Sequence, residues 1–182
     1  MMLRRAPSVV SVSFDSKHRF SKSPTPSITL VAGHGIEGDA HGGPFVRHRH
    51  LARRNPRAPN LRQVHLIRSE LFEALRAAGY DMRAGDLGEN IATRGLDLER
   101  LPLDTTLRIG ASVVIKLTGL RTPCILIDRF QAGLRRRLFG KASDRPFHVG
   151  VMAIVSDGGT VIPGDLIQLV LPEMPHVPLP PL

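Results

Sequence analysis

The sequence is poor in cysteine and in aromatic residues, and each shortage excludes a class of protein. Cys124 is the only cysteine, so the chain forms no internal disulfide and no multi-cysteine zinc site. Several thiolates are also needed to hold an iron–sulfur cluster, so we expect none in this chain. There is no tryptophan and one tyrosine, which argues against a stacking surface for single-stranded nucleic acid.

Long apolar runs are missing as well. No stretch approaches the roughly 20 residues that a membrane-spanning helix needs. The N-terminus turns polar at Ser8 and lacks the apolar centre of a secretory signal. We therefore expect no membrane association and a reducing, cytoplasmic location. The length of 182 residues fits a single domain over 1–182, with its core at about 9–171.

Positive charge is in excess. The chain has 25 Lys and Arg against 16 Asp and Glu, a net charge of +9. Such a field attracts phosphates, nucleic acid or an acidic partner, although a solvated basic surface explains it equally well. Much of the excess lies in two clusters, one made of Arg47, His48, Arg49, His50, Arg53, Arg54 and Arg57, the other of Arg135, Arg136 and Arg137.

Short strands separated by glycine and proline turns dominate the predicted structure. The expected strands are 8–14, 28–31, 61–67, 91–93, 106–109, 112–118, 149–155, 160–162 and 166–171. A doubly wound α/β fold would need helices between most of these strands, and the sequence does not supply them. The pattern predicts a mainly β protein whose strands form a barrel.

Few segments are predicted to be helical. One helix is expected at about 70–78, capped by Ser69 and ended by Gly79, with weaker helical character over 128–140. Residues 42–60 are predicted to form a long loop, which in a compact domain is often functional. The proline-rich tail, 172–182, is predicted to be extended and poorly docked.

Cys124 is the most informative residue. It follows the apolar run 113–117 and comes directly after Pro123, which places it near the end of a predicted strand. Arg121, three residues away, favours the thiolate if its guanidinium points toward the sulfur. Three roles remain open for the thiol: a buried small hydrophobe, a reactive thiolate, or a soft ligand for a single metal.

Several short motifs surround Cys124 in the sequence. They are Gly38-Asp39-Ala40-His41, Arg62-Gln63-Val64, Gly88-Glu89-Asn90-Ile91 with Arg94-Gly95, Arg121-Thr122-Pro123-Cys124, and Gly164-Asp165. Each alone has an ordinary explanation as a turn, a loop histidine or a surface charge. In order and spacing, however, the set resembles the MOSC domain family, named for the C-terminal domain of molybdenum cofactor sulfurases. The resemblance is closest to the small stand-alone bacterial members.

The resemblance implies a MOSC-type β-barrel with Cys124 as the essential cysteine. In amidoxime-reducing relatives this cysteine is a ligand of molybdenum in a pyranopterin cofactor, and in others it is thought to carry sulfur as a persulfide. The residues implied in catalysis are Cys124, Arg121, His41 and Asp39. Those implied in cofactor binding are Arg47, Arg62, Gln63, Glu89, Asn90, Arg94 and Arg121, whose arginines suit a cofactor phosphate.

The resemblance also bears on partners. Pyridoxal phosphate belongs to the fused aminotransferase domain of the large sulfurases, which this sequence lacks, so we do not expect it here. A reductase of N-hydroxylated compounds would take electrons from a donor protein, whereas a sulfur carrier would be loaded by a cysteine desulfurase. The alternative is a non-catalytic anion- or nucleic-acid-binding module. Nucleic acid is the least favoured ligand, because a basic surface that binds it would not require the ordered motifs that this sequence contains.

Overall fold

The computed structural model describes residues 6–47, 49–141 and 146–182, so His48 of the first basic cluster lies outside the described residues. Its strands are β1 Ser8–Phe14, β2 Ser23–Thr25, β3 Ile28–Val31, β4 Gly35–Ile36, β5 Val64–Arg68, β6 Ile91–Arg94, β7 Thr106–Ile109, β8 Val113–Leu120, β9 Val151–Asp157, β10 Gly159–Val161 and β11 Ile167–Val170. Its helices are α1 Arg49–Arg54, α2 Ser69–Ala77, α3 Leu126–Phe130 and α4 Leu134–Arg137, with a 3₁₀ turn at Leu98–Arg100. The predicted mainly β class is confirmed.

Eight strands form one sheet in the order β11-β7-β8-β9-β5-β6-β1-β2, and β10-β3-β4 form a second. Neighbouring strands are antiparallel except β5 and β6. This parallel pair follows from its connection, because a chain that returns through a helix such as α2 enters the next strand in the same direction. The exception matters for function, because the loop between α2 and β6 carries Glu89 and Asn90.

The predicted barrel is wrong, because the eight-stranded sheet is open. Its edge strands β2 and β11 do not pair with each other. The start of β1 meets the chain around the start of β11 through one isolated bridge, between Ser8 and Leu166, and a few backbone hydrogen bonds, which do not form a continuous strand pairing. Pro7 precedes this bridge and has no N–H to extend the pairing.

The core lies on both faces of the large sheet. One apolar cluster contains Leu66 and the inward residues of β7, β8 and β9, and a second contains Ile67 together with α2. Leu66 and Ile67 are adjacent in β5, and both are fully buried. Strand β5 is therefore covered on both faces, which makes it a rigid support for the side chains at its ends.

The predicted helix at about 70–78 is α2, with a different start. Ser69 is its first residue, and the cap position is occupied by Arg68, whose side chain reaches Glu99 instead. The hydroxyl of Ser69 has no hydrogen-bond partner among the described residues, so the prediction of a Ser69 cap is wrong. Gly79 follows the helix at φ +93°, as predicted for its left-handed end.

The segment 42–60, predicted to be a long loop, is ordered by backbone hydrogen bonds. The 42–60 segment contains α1, and it is closed by bonds from Val46 to Ala58 and from Asn60 to Pro44. The predicted weak helix over 128–140 corresponds in part to α3 and α4, which are separated by a turn through Gly133 at φ +75°.

The prediction of a poorly docked tail is wrong. The backbone N–H of Leu182 donates to Leu120 at 2.8 Å, and Leu179 is buried. Gly119 permits this contact, since a Cβ at that position would come within 2.6 Å of the Pro180 carbonyl oxygen. The tail bends at 173–175, and its last residues lie along the end of β8, next to the segment that carries Cys124.

Among the described residues, no helix is long and apolar enough to cross a membrane.

Candidate functional site

A cavity of about 360 Å³ lies where the ends of β5, β8 and the loop before β6 meet. This size is within the usual range for a small-molecule site. Every Lys, Arg, Asp or Glu that lines it is basic, and the lining contains the single thiol. The lining residues are Arg19, Phe20, Lys22, His41, Arg47, Leu51, Asn60, Arg62, His65, Gly88, Asn90, Arg121, Thr122, Cys124, Leu126, Met152 and Leu182.

Cys124 lies beyond the end of β8, in the turn that leads into α3. Its carbonyl accepts a hydrogen bond of 3.2 Å from the N–H of Ile127, the second residue of α3. The side chain is half-buried: it packs against the second apolar cluster and also lines the cavity. The thiol is therefore held by the core while remaining accessible from the cavity.

Arg121 is fixed beside that thiol. Its guanidinium donates to the Leu87 carbonyl and lies 5.9 Å from the centre of the Phe20 ring, and Arg121 lines the same cavity as Cys124. Burial lowers the pKa of Arg121, and the neighbouring Cys124 and Glu89 oppose that shift. Arg121 and Cys124 therefore lie in one cavity, which is the arrangement that an effect of this guanidinium on the thiol requires.

Arg62 is the second buried guanidinium of the cavity. Burial lowers its pKa to about 10, the positive charge of Arg121 adds to this, and Cys124 opposes it. Its Nε is buried without a hydrogen-bond partner among the described residues. Two like charges held so close, with one donor unpaired, favour an anion in the cavity.

Asp39 organises the side of the cavity that faces β1. Its Oδ2 lies 2.8 Å from Nζ of Lys22 and accepts a hydrogen bond of 3.1 Å from Nδ2 of Asn90. Its Oδ1 accepts from the backbone N–H of His41 at 2.8 Å and lies 3.3 Å from Nδ1 of the same residue. Burial opposes ionisation, but the bonds from His41 and the charge of Lys22 outweigh it and lower the pKa of Asp39.

Three cavity-lining side chains thus share one buried carboxylate. Because Asp39 is ionised, it accepts a hydrogen bond from Nδ1–H of His41, and this leaves Nε2 as the ring nitrogen that is not engaged by the carboxylate. Asn90 is held by two further bonds, since its Oδ1 accepts from the N–H of His65 and its Nδ2 donates to the Ser13 carbonyl. This part of the lining is pre-organised before any ligand arrives.

Two titratable groups lie deeper in the same region. Glu89 is buried behind the lining, where Oε1 accepts from the N–H of Gly85 and Oε2 has no partner among the described residues. Burial raises the pKa of Glu89 to about 7. His65 donates Nε2–H to the Val149 carbonyl at 2.8 Å, and burial lowers its pKa, so its imidazole is neutral.

The structure brings most of the predicted site residues together. Cys124, Arg121, Arg62, Asn90, His41 and Arg47 line the cavity, with Asp39 and Glu89 directly behind it. Gln63 does not take part, because its Oε1 accepts from the N–H of Val155 and ties β5 to β9. Arg94 does not either, since it forms an exposed ion pair with Glu73 on α2.

Sequence reasoning missed Lys22 and His65. His65 directly follows Arg62-Gln63-Val64 and alternates with the inward positions of its strand. Its position at the cavity could therefore have been predicted from the sequence. Lys22 lies in a stretch of Ser, Lys and Pro that gives no functional signal. Only the tertiary fold, which packs this stretch against Asp39, identifies it.

The fold and the site define a small β-rich protein with a cysteine at the edge of a positively charged cavity. The MOSC domain model matches residues 37–168, most of the chain, and the chain therefore belongs to the MOSC domain family. This family is associated with molybdenum cofactor binding and sulfur handling.

Solved structures with the same fold include small bacterial proteins. The YuaD protein of Bacillus subtilis is 22% identical, with a TM-score of 0.74, over 95% of this chain and 100% of that one. YiiM of Geobacillus stearothermophilus is 17% identical, with a TM-score of 0.69, over 94% and 79%. YiiM of Escherichia coli is 17% identical, with a TM-score of 0.63, over 93% and 73%. At these identities the likeness establishes the fold alone. No curated protein sequence matches the chain significantly.

Proposed function

We propose that the protein binds a molybdenum pyranopterin cofactor in this cavity, with Cys124 as the protein ligand of the metal. The observation that carries the proposal is the pairing of a cavity-facing thiol with two buried guanidiniums, one of which has an unpartnered Nε. A thiolate suits a soft metal centre, and fork-shaped guanidiniums suit a phosphate. The residues present therefore fit such a cofactor.

Different parts of the lining serve different parts of the ligand. Arg62 and Arg121, with the exposed Arg47 at the edge, suit the terminal phosphate. Asn90 offers an amide whose position is already fixed, for the polar edge of the pterin. When bound, the cofactor supplies a redox-active metal centre, which no side chain of this protein provides.

The protons are supplied by side chains of the protein. His41 lines the cavity with Nδ1 engaged by Asp39, so Nε2 is the atom that gives or takes a proton. We propose reduction of N–hydroxylated compounds as the reaction, since loss of the oxygen as water consumes two protons and two electrons. One cysteine cannot hold an iron–sulfur cluster, so the electrons come from a donor protein.

The deciding experiment is the metal and pterin content of protein purified from a molybdenum-replete host. We expect stoichiometric molybdenum and pterin in the wild type, none in Cys124→Ser, and less in Arg62→Ala. Arg94→Ala is the matched control, because its guanidinium forms an exposed pair away from the cavity. Protein without molybdenum that gains one sulfur atom on Cys124 from a cysteine desulfurase would overturn the proposal in favour of a persulfide carrier.

A further inference from the structure

Two basic segments border the mouth of the cavity. Residues 47–62, which include α1, and residues 121–141, which include α3 and α4, both contribute side chains to its lining. The first segment contains no Asp or Glu, and the second contains only Asp128. The carboxylate of Asp128 is engaged locally, since its Oδ1 accepts a hydrogen bond of 2.9 Å from the N–H of Arg135. Both borders therefore carry charge of essentially one sign.

Much of this charge is presented to solvent. The exposed arginines of the two segments are Arg47, Arg53, Arg54, Arg57, Arg129, Arg136 and Arg137. They are separate from Arg62 and Arg121, which are committed to the interior of the cavity. A ligand small enough to enter the cavity would leave most of these outer arginines without an anion to contact.

Apolar side chains are exposed between the two sets of arginines. Leu51 of α1 is 39% exposed, Leu126 of α3 is 42% exposed, and both line the cavity mouth. Ile125, next to Cys124, is 57% exposed. Protein interfaces combine arginine with apolar residues in this way, whereas nucleic-acid interfaces are more polar.

We propose that the cavity mouth is a docking surface for an acidic protein, formed by the lining residues Arg47, Leu51 and Leu126 together with Arg54, Ile125 and Arg129, which are exposed next to them at α1 and α3. Opposite charge guides the encounter, and the apolar centre is buried on contact. The docked surface covers the opening that leads to Cys124. This inference concerns binding alone, so it stands or falls independently of whether the cavity holds molybdenum.

The test uses the full chain and a purified, fluorescently labelled acidic ferredoxin as the probe. We expect saturable binding at low ionic strength that weakens as salt is added. Arg54→Glu and Arg129→Glu, which alter exposed residues one helical turn from the lining residues Leu51 and Leu126, should each raise the Kd several-fold. Arg108→Glu is the charge-matched control, because Arg108 is an exposed arginine on β7, outside both segments. It should leave the Kd close to that of the wild type.

The apolar centre is tested in the same assay. Ile125→Ser should raise the Kd, while Leu166→Ser, which alters a residue that is 64% exposed elsewhere, should not. Urea unfolding of each variant confirms that it is folded. Absence of ferredoxin binding at low salt, equal weakening by Arg108→Glu, or tighter binding to duplex DNA with no effect of Ile125→Ser would each overturn the proposal.

Discussion

The ammonium of Lys22 lies 2.8 Å from the Asp39 carboxylate, and both side chains are almost completely buried, at 5% and 2% exposure. The two residues are distant in sequence and are brought together by the fold. Their ion pair holds the Asp39 carboxylate in place, and this carboxylate in turn orients His41 and Asn90. Burying two charges is favourable only when each keeps its partner and the remaining lone pairs are filled. Asp39 satisfies that condition, since it also accepts bonds from His41 and Asn90.

Breaking this pair should be costly. We expect Asp39→Asn to lower the free energy of unfolding by about 3 kcal/mol or more, because it leaves Lys22 buried without its counter-charge. The matched control is Glu73→Gln, which breaks the exposed pair with Arg94 and should cost about 1 kcal/mol or less. Urea unfolding at neutral pH measures both. Equal costs for the two variants would contradict a stabilising role for the buried pair.

Glu89 predicts a pH dependence of stability. Burial raises the pKa of Glu89 from 4.5 to about 7, so the folded state holds a proton that the unfolded chain releases. The stabilisation is full below pH 4.5 and is lost as the pH rises toward 7, by about 3 kcal/mol in total. His65 acts in the opposite direction over part of this range, because burial lowers its pKa.

The comparison with Glu89→Gln separates these two effects. The amide keeps an acceptor for the N–H of Gly85, and His65 is present in both proteins, so its contribution cancels. The difference in unfolding free energy between variant and wild type should therefore change between pH 4.5 and 7 in favour of the variant. A difference that stays constant across this range would show that Glu89 titrates normally.

The secondary structure was largely predictable because its signals are local. Alternating apolar residues marked β1, β8 and β9, and the apolar stripe of α2 ended at a glycine that adopts the left-handed conformation. Closure of the sheet depends on how the two edge strands meet, which no local pattern encodes. The docking of the tail depends likewise on Gly119, whose missing side chain admits Pro180 and Leu182.

The candidate site likewise has a part that could be predicted from the sequence and a part that could not. Arg121 and Cys124 are close in sequence, so their contact could be anticipated. Lys22 is seventeen residues from Asp39 in sequence, without a motif of its own, and only the packing of its loop brings the two together. Gln63 and Arg94 were predicted to bind the cofactor but do not line the cavity, because a motif does not state which way a side chain points. One bonds the neighbouring strand and the other pairs with a helix.

Replacing the thiol should separate its chemistry from its packing. Cys124→Ser removes one soft donor atom at a half-buried position and should cost about 1 kcal/mol or less in unfolding free energy. Val149→Ala is a useful comparison, because Val149 is fully buried in the same apolar cluster and its truncation should cost clearly more. A serine variant that unfolds at the temperature of purification would instead assign Cys124 a structural role.

Arg121 should control the reactivity of the thiol. Its positive charge lies in the same cavity as Cys124, and a nearby cation generally favours the thiolate, which is the form that reacts with iodoacetamide. We expect Arg121→Ala to slow alkylation of Cys124 several-fold at neutral pH, and Arg121→Lys, which retains the positive charge, to slow it less. Arg135→Ala is the matched control, because Arg135 also lies near this turn but donates to the Pro123 carbonyl at 3.1 Å rather than to the sulfur. Alkylation rates that coincide for wild type and Arg121→Ala at every pH would show that this guanidinium does not act on the thiol.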